Sequence, residues 1–443
     1  MNIIIVSLLV LLSIIAVIWL TSKLRIQAFI ALFVVSLLLA VTTLPASKII
    51  STLKEGFGST MASIGFLIIF GAMIGVILDK TGATVSMAGY ILSKTGRKRS
   101  AAAMGITGFV TGLPIFCDSG FIVLSGLAKS FSSRAGVAMP FMATVLASSL
   151  YSVHCLIPPH PGATAAAGIV KADIGRLVIL GTAFAIPGAL SAFFWSRWIS
   201  AKGKYRAYNN HDVTKPFDTD NLPPVLLSFL PVVIPLVLIT LRSVLTMFES
   251  LSGSQAVNAI NVLGEPVIAL FIGVILALIP VKQKNINSFN NLFSDAIVKA
   301  GPVLIITAAG GTFGMIIKST GTGEAAGKLL ADTGLGLAVP FILAALLKTA
   351  QGSSTVAIIT TASFVAPMLP ALGLATQTGR LFAMLSMGAG SMIFSHANDS
   401  YFWVVSNFSG TETGINLKVF SSSTAIMGIT VFIAVWITSL FIL

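Results

Sequence analysis

Charge is what this chain has least of. Only 9% of its 443 residues are Asp, Glu, Lys or Arg, against 56% hydrophobic. That is too few charges to coat a water-soluble protein of this size. Acids are the scarcer sign, with 14 Asp+Glu against 27 Lys+Arg. The two cysteines, Cys117 and Cys155, make no disulfide framework, and no C-x-x-C or similar metal spacing occurs. No Walker loop, HExxH helix or dinucleotide fingerprint is present, so neither ATP, a metal nor another cofactor is expected. The short alternating segments of a membrane β-barrel are also missing.

What is present is length in apolar runs. The windows 3–20, 26–45, 175–195 and 423–443 are each mostly apolar over 18 or more residues, which predicts an all-α integral membrane protein with the lipid bilayer as its solvent. No basic residue precedes the first run, and Lys23 and Arg25 follow it. That pattern favours a retained first span over a cleaved signal peptide. A net charge of +13 could suggest nucleic acid, but its distribution points elsewhere. With the N- and C-termini placed outside, roughly two-thirds of the Lys and Arg fall on inner loops. That is positive-inside bias, and no nucleic-acid partner is expected.

Four stretches interrupt the apolar runs: GLPIFCDSGF (112–121), PPHPG (158–162), QGSST (351–355) and SHANDS (395–400). Proline removes a backbone donor and glycine loosens a helix, while an Asp at the bilayer centre costs about 2.5–3.5 kcal/mol on insertion scales. Non-helical backbone survives at membrane depth only when buried in protein or lining a watery cavity. The four breaks are therefore expected to meet in one site.

The second half of the chain restates the first. GVILDKTGATVSMAGYILSKTG (75–96) matches GMIIKSTGTGEAAGKLLADTG (314–334) with one residue deleted. Extending that alignment sets Pro114 opposite Gly352 and Pro158 opposite His396. A polar cytoplasmic linker at 201–222 would separate a first repeat, 1–200, from a second, 223–443. The broken segments near 100–131 and 338–370 read as re-entrant hairpins, and 157–162 and 395–400 as unwound points in transmembrane helices. The first half then holds an odd number of crossings: 3–20, 26–45, 61–79 (after a short amphipathic stretch), about 136–170, and 175–198. The second repeat would begin on the opposite face. Inverted repeats with interrupted helices in register are the pattern of secondary transporters, whose sites lie near the midplane.

The breaks also collect the scarce chemistry. The first holds Asp118 and Ser119, and the second His160 with His154 shortly before it. The third holds Lys348, Gln351, Ser353, Ser354 and Thr355, and the fourth Ser395, His396, Asn398, Asp399 and Ser400. Half-helix N-termini at such breaks suit an anion. Lys348 could hold a carboxylate as a point charge, and the hydroxyls and amides suit a polyhydroxylated or amino-acid-like body. Asp118, Asp399, His160 and His396 are groups able to take up and release a proton. Plainer readings stand beside these. Lys348 and one Asp can form a structural ion pair, His154 can donate to a carbonyl inside the bundle, and the prolines can simply fix the break. Phe116, Phe121, Tyr401, Phe402 and Trp403 read as packing or gate surfaces. A Ser/His/Asp set would formally permit an intramembrane hydrolase, but no nucleophile elbow occurs and the twofold repetition favours a carrier over an enzyme or a channel.

With these motifs in place, a family resemblance can be stated. GLPIFCDSGF (112–121), IPPHPGATAAAG (157–168), KTAQGSSTVA (348–357) and SHANDSYFW (395–403) together resemble the gluconate permease family of bacterial proton symporters, in the family's order and over essentially the whole chain. The resemblance implies a fold of the ion-transporter superfamily. That means two inverted repeats, each with a re-entrant hairpin and an unwound transmembrane helix, in a homodimer whose hairpin-bearing part moves as an elevator. It implies import of gluconate or a similar small sugar or hydroxy acid at the bacterial inner membrane, with the proton gradient as energy source. A sodium-coupled carboxylate carrier, or a carrier of D-serine or another hydroxy acid, is the alternative. Carried onto this sequence, the substrate positions are Ser119, His160, Lys348, Gln351, Ser353, Ser354, Thr355, His396 and Asn398. The proton-coupling candidates are Asp118, Asp399, His160 and His396. Cys117 departs from the aromatic or bulky residue expected there, which leaves the identity of the substrate open.

Overall fold

The structure is a computed structural model that describes residues 3–24, 26–95, 99–203, 205–207, 222–245, 255–281, 285–320, 336–396 and 399–443. Every regular element among these residues is helical. The first two apolar runs become α1 (Ile3–Ser22) and α2 (Ala28–Thr43), and Pro45 ends the second. The expected amphipathic lead-in and the span at 61–79 prove to be one 35-residue helix, α3 (Ala46–Lys80), bent by 43° between Ala62 and Gly65. No proline lies within it, so nothing removes a backbone donor and stops the helix. At 1.5 Å per residue its length of about 50 Å exceeds the roughly 30 Å hydrocarbon core.

α4 (Ala83–Thr95) leads to the first broken segment, α5 (Ser100–Gly112) and α6 (Cys117–Ala135). α6 runs a turn beyond the expected end at 131. Then come α7 (Met139–Leu156), α8 (Pro161–Val170) and α9 (Ile174–Lys202). The second half runs through α10 (Val225–Leu245), α11 (Gln255–Leu263), α12 (Pro266–Leu278) and α13 (Ile286–Thr320). α14 (Ala338–Gln351) and α15 (Ser354–Val365) follow, then α16 (Gln377–Ser391), α17 (Ser400–Ser409) and α18 (Thr413–Ile442). Five helical segments among the described residues are long and apolar enough to cross a bilayer, or up to seven with the bent pairs.

Helix lengths recur in order. α3 and α13 have 35 residues each, α5 and α14 have 13 and 14, α8 and α17 have ten each, and α9 and α18 have 29 and 30. Of the matched segment 314–334, residues 321–334 lie outside the described residues. α3 and α13 pack side by side through small residues, which let helix backbones approach closely in a membrane. A Cβ on Gly56 would stand 2.7 Å from Thr312 Cα.

Buried apolar side chains fall into two clusters. One draws on α1–α3, α10, α12 and α13, and the other on α5–α7, α9, α16, α17 and α18, while α4 and α14 place residues in each. α8 and α15 also contribute to both, Ala165 and Ile359 to the first and Ala163 and Ile358 to the second. The breaks before these two helices therefore lie where the clusters meet.

Candidate functional site at four broken helices

Each break ends one helix and starts another, so each supplies a helix N-terminus. α6 starts after Phe116, α8 after His160, α15 after Ser353 and α17 after Asp399. These ends carry unsatisfied backbone N–H groups and partial positive charge. The Ser353 side chain accepts from Val356 N at 3.3 Å, and Asp399 Oδ1 accepts from Tyr401 N at 3.0 Å. Gly352, at φ +87°, turns the chain sharply between α14 and α15, a left-handed conformation that glycine adopts without steric cost.

The breaks are tied to one another by side chains. Lys348, in the last turn of α14, is wholly buried. Its Nζ donates to Asp399 Oδ2 and to Gly352 O, each at 2.5 Å, and lies 5.9 Å from the Tyr151 ring centroid. Asp399 Oδ2 also accepts from Ser395 Oγ at 2.5 Å. The third and fourth breaks are thus joined by an ion pair whose remaining valences are satisfied within the protein, the condition under which a buried pair is tolerated.

A second link joins the first three breaks. His160 Nε2 donates to Gly112 O at 2.6 Å. In a neutral ring this leaves Nδ1 as the acceptor, so His154 donates from its own Nδ1, 3.2 Å away. His154 Nε2 then accepts from the Thr355 hydroxyl at 3.3 Å, which assigns the tautomers of these two histidines. The same breaks touch backbone to backbone, since a Cβ on Gly162 would lie 3.1 Å from Thr355 Cα. Behind them, one turn apart on α3, Gly71 and Gly75 admit the breaks: Cβ atoms there would lie 3.0 Å from Pro159 O and 2.7 Å from Pro114 O.

Asp118 stands in the first turn of α6, within electrostatic reach of both Asp399 and Lys348. Its Oδ1 is buried without a hydrogen-bond partner. His396 lies apart from the other two histidines, half-buried, with Nε2 3.2 Å from Thr349 O. Ser354 is buried at the start of α15. The side chains of Ser119 and Gln351, and all of Asn398, lie outside the described residues. No group of three or more His, Cys, Asp or Glu among the described residues is placed to hold a metal ion.

Two residues matter more than their sequence suggested. His154 makes no bond to a bundle carbonyl and instead joins His160 to Thr355. Tyr151, three residues earlier, stacks on His154 with centroids 6.5 Å apart and faces Lys348. Spacing by three on one helix places both on a single face, and that was the available signal. Tyr401 packs on Tyr151 at 5.3 Å and donates to Ala147 O at 2.9 Å, anchoring α17 to α7.

A multi-helix membrane protein with buried charge at interrupted helices has the architecture of a permease. A family model described as GntP family permease matches residues 3–441. The chain belongs to the GntP permease family, which consists of permeases and not enzymes. It is 30% identical to the inner membrane permease YgbN of Escherichia coli, over 96% of each chain. It is also 30% identical to the Gnt-II system L-idonate transporter of that organism, covering 91% of this chain and 93% of the relative. Identity is 28% to the E. coli high-affinity gluconate transporter, over 92% and 93%. Among solved structures, the YdaH transporter of Alcanivorax borkumensis, described as having an unusual topology, superposes with a TM-score of 0.64. That likeness covers 93% of this chain and 98% of the other at 14% identity, and it speaks to fold alone.

Proposed function

We propose that this permease imports gluconate or a closely similar sugar or hydroxy acid across the bacterial inner membrane by proton symport. The observation that carries the reading is Lys348, a wholly buried cation among four helix N-termini, balanced by Asp399 and with Asp118 close by. The substrates named for the relatives, gluconate and L-idonate, are polyhydroxylated monocarboxylates, and this site offers a cation, helix ends and hydroxyls. An arriving carboxylate would compete with Asp399 for Lys348. The displaced carboxylate, or Asp118 beside it, would then bind a proton, because a second free negative charge is costly in so dry a place. Adding one anion and one proton leaves the net charge of the site unchanged, so the loaded site crosses the membrane without a new buried charge.

In this reading Ser354 and Thr355, on the first turn of α15, face the hydroxylated body of the substrate together with Ser119, Gln351, Ser353, His396 and Asn398. His160 holds the two hairpins in register. The two clusters suggest a division into a scaffold (α1–α3, α10–α13) and a moving part (α5–α9, α14–α18). The recurring helix lengths support two repeats over 1–200 and 223–443, of opposite orientation, with a homodimer formed through the scaffold and elevator-like movement of the hairpins. The positive-inside bias supports termini on the outer side.

The test is proton movement in proteoliposomes on addition of gluconate, with and without sodium. Uptake of one proton per gluconate without sodium is the expected result. Sodium-dependent uptake would overturn proton coupling. Uptake of D-serine or another hydroxy acid in preference to gluconate would reassign the substrate.

A further inference from the structure

Away from the Lys348–Asp399 pair, a cleft of about 600 Å³ lies between the end of α3, the start of α4 and the middle of α6. Asp79 and Lys80 are among its lining residues, and half-exposed Lys80 pairs with Asp295 of α13 at 3.0 Å. Ile122 and Gly126 of α6 line it, as do Leu222 and Phe408.

The α6 lining residues stand on the same helix as Asp118. Residues 118, 122 and 126 follow one another at four-residue spacing, so they form a single stripe along that helix, each about 6 Å from the next. Gly126 looks into open space, for a Cβ there would meet no atom within 4 Å. Ile122 is 40% exposed, whereas Phe121 and Leu124, which point the other way, are fully buried. One turn further in, the Oδ1 of Asp118 is buried and unpartnered. We infer that this cleft is the aqueous approach by which water and a small hydrophilic acid reach Asp118, with Ile122 as its constriction. The passing solute rests on the carrier reading above, while the path itself rests on geometry.

The path can be tested without transport. Asp118→Cys is placed in the full-length protein in sealed vesicles, and its reaction with a membrane-impermeant methanethiosulfonate is timed from each side. The wild-type chain, whose two cysteines are buried, sets the background. Labelling from one side only is expected, and adding Gly126→Trp should slow it about tenfold or more. Ile122→Ala should speed it several-fold. Gly58→Trp, at another glycine with no atom within 4 Å of a built Cβ but outside the cleft, should leave the rate unchanged. Should Gly126→Trp fail to give a monodisperse protein, Gly126→Leu serves as the milder plug. The inference is overturned if a folded plug variant labels at the unplugged rate, or if Asp118→Cys labels from neither side. Failure of the carrier reading would show separately, as wild-type vesicles that accumulate no small acid while the labelling pattern holds.

Discussion

Lys348 Nζ lies 2.5 Å from Asp399 Oδ2, between the last turn of α14 and the cap of α17, with Lys348 wholly buried and Asp399 nearly so. Each partner has a further bond: Lys348 to Gly352 O, and Asp399 to Ser395 Oγ and Tyr401 N. Two polypeptide breaks that are remote in sequence are thereby locked into one electrostatic unit.

Removal of one partner should leave the other charged and uncompensated. Lys348→Ala and Asp399→Ala should each cost about 3–5 kcal/mol of stability. Lys348→Met combined with Asp399→Leu should recover most of that loss and still show no uptake. Thermal unfolding in detergent beside vesicle uptake checks this. A double variant no more stable than either single one would mean that the pair is not the source of the cost.

Asp118 tests a different point, since its Oδ1 bonds nothing that would be lost. Asp118→Asn should fold normally and exchange labelled substrate across the membrane, but should not accumulate it against a gradient. Counterflow and proton uptake separate the two behaviours. Undiminished proton-driven accumulation would remove Asp118 from the coupling step.

Thr355 closes the histidine chain as its terminal donor. Thr355→Val keeps the shape and leaves His154 Nε2 without a partner, at a cost of about 1–3 kcal/mol. Thr355→Ser should restore both stability and uptake. Equal behaviour of the Val and Ser variants would show that the hydroxyl is not needed.

The glycines of α3 offer a steric test. A Cβ at Gly75 would stand 2.7 Å from Pro114 O, while one at Gly58 would meet nothing within 4 Å. Gly75→Ala should therefore destabilise by about 1–3 kcal/mol and slow uptake. Gly58→Ala should be neutral or slightly stabilising, since alanine is the better helix former. Melting curves of the two variants give the comparison.

Much of this architecture was legible in the residues themselves. Long apolar runs can only be satisfied as helices in lipid, and α14 and α15 lie within the broken segment expected near 338–370, on either side of the break expected at 351–355. Pro158, Pro161, Gly112 and Gly352 mark the breaks because each removes a donor or releases the backbone locally. The lead-in to α3 reads in sequence as a short amphipathic stretch apart from the span at 61–79, whereas both belong to one helix. Its helix is held by packing against α13, which no local pattern reports.

Local chemistry in the sequence thus determined where the chain crosses lipid, where its helices break and which scarce polar groups stand at the breaks. Tertiary structure alone decided which of those groups are partners. Lys348 could have met Asp118 as readily as Asp399, and His154 could have bonded a carbonyl as readily as His160 and Thr355. The physical reason is range. Helix breaking acts over a few residues through sterics and missing donors, whereas an ion pair depends on ångström-scale distances set by the packing of helices far apart in the chain.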